Sequence, residues 1–210
     1  MNEHYPFKNP PLPYTYNALE PYITEETLYL HHNFILQQDV DNLNDILSTH
    51  PELQSLSIEE LLTNPEGIPL EIRQSVLAYA GSIYNHIVFF NGMTSPATFF
   101  RSTLLYPAII RDFGSIDNFF DELKKKTMAI LGPGFTWLVT DQSGNLQIIT
   151  TTCNTSPISD NLCIIAGLDV WEHSYYLQHF YSRVKYIEDW FHVMNWEEME
   201  QRYKNCIDSI

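Results

Sequence analysis

Basic side chains are scarce in this chain. Across 210 residues Lys and Arg number 11 against 26 Asp and Glu, a formal net charge of -15. Such a surface repels nucleic-acid phosphates and anionic lipid headgroups, so no nucleic-acid and no membrane partner is expected. Long apolar runs are also missing, and none reaches the roughly 20 residues needed to span a bilayer. The opening "MNEHYPFKNPPLPY" has no charged stretch followed by an apolar one, so no secretory leader is expected. Cysteine is rare. Cys153, Cys163 and Cys206 are odd in number and lack C-x-x-C spacing, which reads as isolated thiols in a reducing cytoplasm rather than a disulfide frame or zinc knuckle. Internal repeats and low-complexity tracts are absent as well.

What is present fits an ordinary globular chain: 44% hydrophobic and 14% aromatic residues, at a length that buries a real core. Pro10, Pro11 and Pro13 hold the opening extended. Thr24 is placed to cap a helix, with Glu25 and Glu26 in its favourable first turn. Leu28, His31, Ile35, Asn42, Leu43 and Ile46 then recur at near-helical spacing, which predicts one long helix. "SIEELL" reads as a capping box of Ser57 and Glu60. A second long helix is expected from Leu70 to about Phe90, ended by Asn91-Gly92, and the two form an antiparallel hairpin.

Beyond Gly92 the pattern changes, so the chain divides into an N-terminal helical-hairpin domain, 1–92, and a C-terminal domain, 93–210. "STLLYPAIIRDF" and "SIDNFFDELKKK" read as short helices, the second capped by Ser115. Phe135–Val139 and Leu146–Thr152 flank a turn at Asp141 to Gly144 and predict a β-hairpin. "LCIIAGLDV" is a third strand, and helical spacing resumes from Trp171 to the C-terminus. The expected class is α+β: a helical hairpin, then a three-stranded antiparallel sheet flanked by helices.

Candidate chemistry centres on histidine. Asp169 and His173 in "DVWEHSYY" are four apart, which on one helical turn puts them on a shared face. His31 and His86 each lie on an apolar helix face, and an antiparallel pairing would set them abreast. Neutral imidazoles with a carboxylate suit a borderline metal. A lone histidine on an apolar face is more often a satisfied core group than a ligand, and spacing alone leaves both readings open.

From about Pro11 to Trp196 the chain resembles the iron/manganese superoxide dismutase family. "DVWEHSYY" is the most specific motif, joined by "PLPYTYNALEPYIT", "NH" at Asn85-His86, "GPGFTWLV" and "VMNWE". The resemblance implies a superoxide dismutase that cycles one iron or manganese ion per subunit, with His31, His86, Asp169 and His173 as ligands. It implies a homodimer in which Glu172 reaches His173 of a second subunit. Arg183 matches an arginine near the substrate funnel, and Trp171 matches an aromatic lining the site. Phe90 and Phe135 stand where many relatives carry tryptophan.

The departures lie around the ligands. Where relatives carry paired histidines, this chain has Ile35 and Leu36, and the change at Ile35 removes a hydrogen bond that crosses the interface to Tyr176. Asp39 replaces the gateway tyrosine, and the expectation is that it turns out to solvent. The family's outer glutamine has no counterpart, since its two alternative positions hold Ser82 and Asn154. The alternative reading is a dismutase-like metal-binding or structural protein with little activity. All four ligand positions surviving favours the enzyme.

Overall fold

The computed structural model describes residues 4–96, 103–160 and 162–209; Ser102, which opens one of the expected helices, lies outside them. The N-terminal part begins with an extended segment packed onto helices. Thr24 caps α1 (Glu25–Leu30), its hydroxyl accepting from the Thr27 amide at 3.4 Å. A π-helical turn follows at His31–Leu36, then α2 (Gln37–Ser48). Right-handed helical dihedrals at Leu30 and Gln37 make this one rod, so the expected long helix exists, but with an unwound middle. Such turns are rare and favour functional positions, and this one starts on His31.

The capping box forms at α3 (Ile58–Thr63): the Glu60 amide donates to Ser57 Oγ at 3.1 Å and the Ser57 amide to Glu60 Oε2 at 2.8 Å. The second long helix is α4 (Leu70–Asn91). Asp39 meets Ser82 while His31 meets His86, so the rod and α4 run antiparallel, as expected. Leu36, Val40, Leu43 and Leu47 from the rod bury against Val76, Ala80 and Ile83 of α4 in the main core, which extends into the C-terminal part.

That part starts with α5 (Leu105–Phe113) and α6 (Ile116–Met128), the latter capped by Ser115. The strands are β1 (Gly134–Thr140), β2 (Leu146–Thr152) and β3 (Cys163–Asp169), in the order β2-β1-β3 with both pairings antiparallel. β1 is central and buried along its whole length, which explains its run of aromatic, apolar and β-branched residues with no charged side chain. Its alternation sends Phe135, Trp137 and Val139 to one face, against Val88 of α4. Opposite Trp137 stands Gly167, where a Cβ would lie 2.4 Å from the indole ring, so only glycine lets that ring lie flat on β3.

The C-terminal helical run divides into α7 (Glu172–His179), α8 (Arg183–Phe191) and α9 (Trp196–Asp208). The break after α7 falls at Phe180, a non-glycine residue at φ 52°. One expectation fails outright: Cys163 and Cys206 are joined by a disulfide, and Cys153 is left as a free, exposed thiol. The reason is tertiary. α9 packs on β3, bringing two Cα atoms 43 residues apart in sequence to within 5.8 Å, a separation a disulfide bridges. No helix of the described residues is long and apolar enough to cross a membrane.

Candidate metal centre

Four elements converge on one point between the rod, α4 and the sheet. His31 comes from the start of the π turn, His86 from α4, Asp169 from the last position of β3 and His173 from the first turn of α7. Asp169 and His173 do not share a helical turn, as their spacing suggested. They straddle a strand-to-helix junction, with Val170 and Trp171 as the bend. The junction is held by Asp169 itself, whose Oδ1 accepts from the Trp171 amide at 2.8 Å. This leaves Oδ2 to face the histidines.

Oδ2 of Asp169 lies 3.2 Å from His31 Nε2, 3.6 Å from His86 Nε2 and 3.3 Å from His173 Nε2. Donors about 2.1 Å from a shared ion and 90–120° apart stand about 3.0–3.6 Å from each other. The measured separations fall in that range. One ligand atom from each of the four residues lies within 4.8 Å of the others. Nε2 of His31 and Nε2 of His86 are buried with no hydrogen-bond partner, an arrangement that costs a protein several kcal/mol unless something else takes those lone pairs. The donor set and the two orphaned nitrogens fit a cation.

The electrostatics agree. Burial lowers His31 to about 3, outweighing the neighbouring Asp169 carboxylate, which favours the charged form. Burial likewise lowers His86. For Asp169, burial alone would raise the carboxyl, but the imidazoles of His173 and His31 outweigh it and hold it below the usual carboxylate range. His31 and His86 are thereby neutral imidazoles beside a carboxylate, the protonation a metal ion requires.

The surroundings orient the donors. His86 Nδ1 lies 2.8 Å from the Ser82 carbonyl, so its proton sits there and Nε2 keeps its lone pair. Tyr186, which the sequence analysis missed, donates its hydroxyl to the Asp169 carbonyl at 2.8 Å. Nothing local marks it; it lies 17 residues past Asp169 on α8. Trp171 stacks on His173 with ring centroids 5.6 Å apart, and its Nε1 donates to the Cys153 carbonyl at 3.4 Å. Phe90 lies edge-on to His31 at 4.9 Å and Phe135 edge-on to His86 at 6.1 Å, so the wall is apolar.

Other expected positions make contacts of their own. Arg183 donates to the carbonyls of Ile130 at 2.7 Å and Gly132 at 3.0 Å, clamping the segment before β1. Asn154 acts through its main chain: its carbonyl accepts from Asn85 Nδ2 at 3.1 Å and presses on Gly81. Glu172 and Tyr176 are exposed on α7. Asp39 does not turn out to solvent. It is half-buried, and its Oδ2 accepts from Ser82 Oγ at 2.5 Å. Apart from this centre, His179 and Asp189 form a buried pair at 2.9 Å with Lys185 on the other carboxylate oxygen. Among the described residues, however, the four-donor group is the one cluster able to hold an ion.

A helical hairpin docked on a three-stranded α+β unit, with three imidazoles and one carboxylate around a single buried point, defines a class of mononuclear metalloproteins. Comparison with known proteins narrows it. Residues 6–94 match the family model of the iron/manganese superoxide dismutase alpha-hairpin domain, and residues 101–202 match that of the family's C-terminal domain. The chain is 38% identical over 197 residues to a superoxide dismutase [Mn] of Listeria monocytogenes, covering 94% of this chain and 97% of that one. It is also 38% identical over 200 residues to superoxide dismutase [Mn] 1 of Leptolyngbya boryana, covering 94% and 81%. This chain belongs to the iron/manganese superoxide dismutase family.

Proposed function

We propose that the chain is a superoxide dismutase holding one iron or manganese ion through His31, His86, Asp169 and His173. The observation that carries this is the pair of buried, partnerless Nε2 atoms facing Asp169 Oδ2. When bound, the ion supplies one-electron redox chemistry between two oxidation states, through which superoxide yields oxygen and hydrogen peroxide. The chain's residues supply the rest. His31, His86 and Asp169 are almost fully buried, while the His173 side chain is 23% exposed, so approach from solvent is from the His173 side. Trp171 covers that imidazole, and Phe90 and Phe135 keep other hydrogen-bonding groups away from His31 and His86. Relatives named as manganese enzymes weigh towards manganese over iron.

A homodimer is part of the same reading. Tyr29, Leu30, Phe34, Tyr176, Phe180 and Tyr181 are large apolar or aromatic side chains exposed on α1, the π turn and the end of α7. α1 and α7 are tied together where Gln178 Oε1 accepts from the Thr24 amide at 2.8 Å. An apolar surface of this kind beside the exposed Glu172 favours a second copy. A cytoplasmic location is also proposed, with one support withdrawn: the isolated-thiol argument ends with the Cys163–Cys206 bond.

The test is elemental analysis and a dismutation assay on one preparation. The expected result is about one iron or manganese per chain, with turnover far above that of an equal concentration of free ion. A fully loaded protein no faster than the free ion would reject the enzyme reading and leave the metal-binding alternative.

A further inference from the structure

Two departures from the family, Asp39 and Ser82, turn out to be one unit. They lie 43 residues apart on α2 and α4, and the antiparallel packing brings them together directly behind His86. The unwound π turn assists. In a regular helix, eight residues place Asp39 about 80° round from His31, whereas looser winding brings the two towards one face.

The hydrogen-bond directions follow from the atoms. Ser82 is buried, and its hydroxyl carries a single proton. That proton goes to Asp39 Oδ2 at 2.5 Å, so at 3.1 Å from His86 Nδ1 the Ser82 oxygen offers only lone pairs. Nδ1–H therefore finds two acceptors, Ser82 Oγ and the Ser82 carbonyl at 2.8 Å. Were the hydroxyl free to rotate, it could instead donate to Nδ1, moving the imidazole proton to Nε2. An Nε2–H cannot bind a metal. By claiming the serine proton, Asp39 removes that competing arrangement.

We propose that Asp39 and Ser82 form a positioning pair that locks His86 in its Nδ1–H form and makes its Nε2 a stronger donor to a bound ion. A negative charge polarises the serine hydroxyl, which strengthens the next hydrogen bond in the chain. The electron density thus pushed into the imidazole appears at Nε2. Outer partners of metal-bound histidines typically change metal affinity by about 10–100-fold. The proposal rests on His86 being a ligand, but not on dismutation.

Zinc is the probe, because it is diamagnetic and has no redox chemistry at the site. Zinc affinity of the metal-free full chain is measured by chelator competition for the native protein, Asp39→Asn, Ser82→Ala and the double variant. The expected outcome is a loss of about 10–100-fold in each single variant. The double variant should be no weaker than the singles, because Asp39 acts through Ser82. Losses that multiply, or a single variant with native affinity, would overturn the pair. Nitrogen-detected NMR of the metal-free protein supplies a second readout. The native His86 should be protonated on Nδ1 alone, and Asp39→Asn should introduce the Nε2–H form. Native His86 protonated on Nε2 would overturn the proposal even if no variant folds. A zinc protein that behaves as expected while its manganese form lacks turnover would reject only the enzyme reading.

Discussion

Gly81→Ala pits a local gain against a tertiary clash, and the structure decides between them. Gly81 lies inside α4, where alanine is favoured over glycine by about 1 kcal/mol. Against this, a Cβ at position 81 would lie 2.3 Å from the carbonyl oxygen of Asn154. An ordinary carbon–oxygen contact is about 3.3 Å, so the loop must withdraw by about 1 Å. The withdrawal lengthens the Asn85 Nδ2 bond to that same oxygen beyond its present 3.1 Å and strains the weaker one to the Thr155 carbonyl at 3.4 Å. Losing a buried hydrogen bond costs about 1–3 kcal/mol, and overpacking costs about the same again. The expected net loss is about 3 kcal/mol once the helix gain is subtracted. At about 2–4 °C per kcal/mol for a chain of this size, Tm falls by about 6–12 °C. The next residue along the loop is Cys153, whose carbonyl holds Trp171 over His173, so metal retention should fall with stability. Differential scanning calorimetry on both proteins, with metal content measured alongside, is the assay. A Tm that rises by the few degrees expected of helix propensity alone would refute the reasoning, because it would show that the loop yields freely.

Replacing both Cys163 and Cys206 by serine opens a loop of 43 residues, which loop-closure entropy values at about 4 kcal/mol; a denaturant midpoint equal to that of the native protein would contradict it. Thiol titration of the native chain should find one reactive group, Cys153, and three after unfolding in reductant. For the metal-free protein, His31 falls from an ordinary 6.5 when unfolded to about 3 when folded, so between those values the unfolded chain binds more protons. Stability is therefore complete above pH 6.5 and declines as pH falls towards 3, by up to about 1.4 kcal/mol per pH unit from this group. Urea melts from pH 7 to 4.5 should show that slope, and His31→Gln should flatten it. Ser57→Ala removes the hydroxyl that accepts from the Glu60 amide, leaves the backbone half of the capping box in place, and should cost about 1 kcal/mol, whereas an unchanged melt would mean that the hydroxyl cap is idle.

Most of the fold was readable in the linear order of residues because its signals are local. Thr24, Ser57 and Ser115 cap the helices that follow them within three residues, and the β-branched and aromatic run Phe135–Val139 beside a turn reports a strand whatever it packs against. His31 and His86 were legible as candidates because each falls on an apolar helix face, and His173 because it stands four residues from Asp169; the resemblance of "DVWEHSYY" and its companion motifs to the family implied that they are ligands. Where the reading failed, the cause was contact between distant residues. Cys163 and Cys206 give no sign of each other across 43 positions, and only the docking of α9 on β3 joins them.

The sequence alone determined which segments become helix or strand and the α+β class, since propensity, capping and periodicity act between chain neighbours, while the resemblance of its motifs to a family singled out the four candidate ligands. Only the tertiary structure decided the direction in which those side chains point. An unwound turn at His31 and a strand-to-helix bend at Asp169 aim the donors at one point. The packing of α2 on α4 turned Asp39 from solvent to Ser82. Direction depends on helix phase and on what lies opposite, and neither is encoded within one turn of chain.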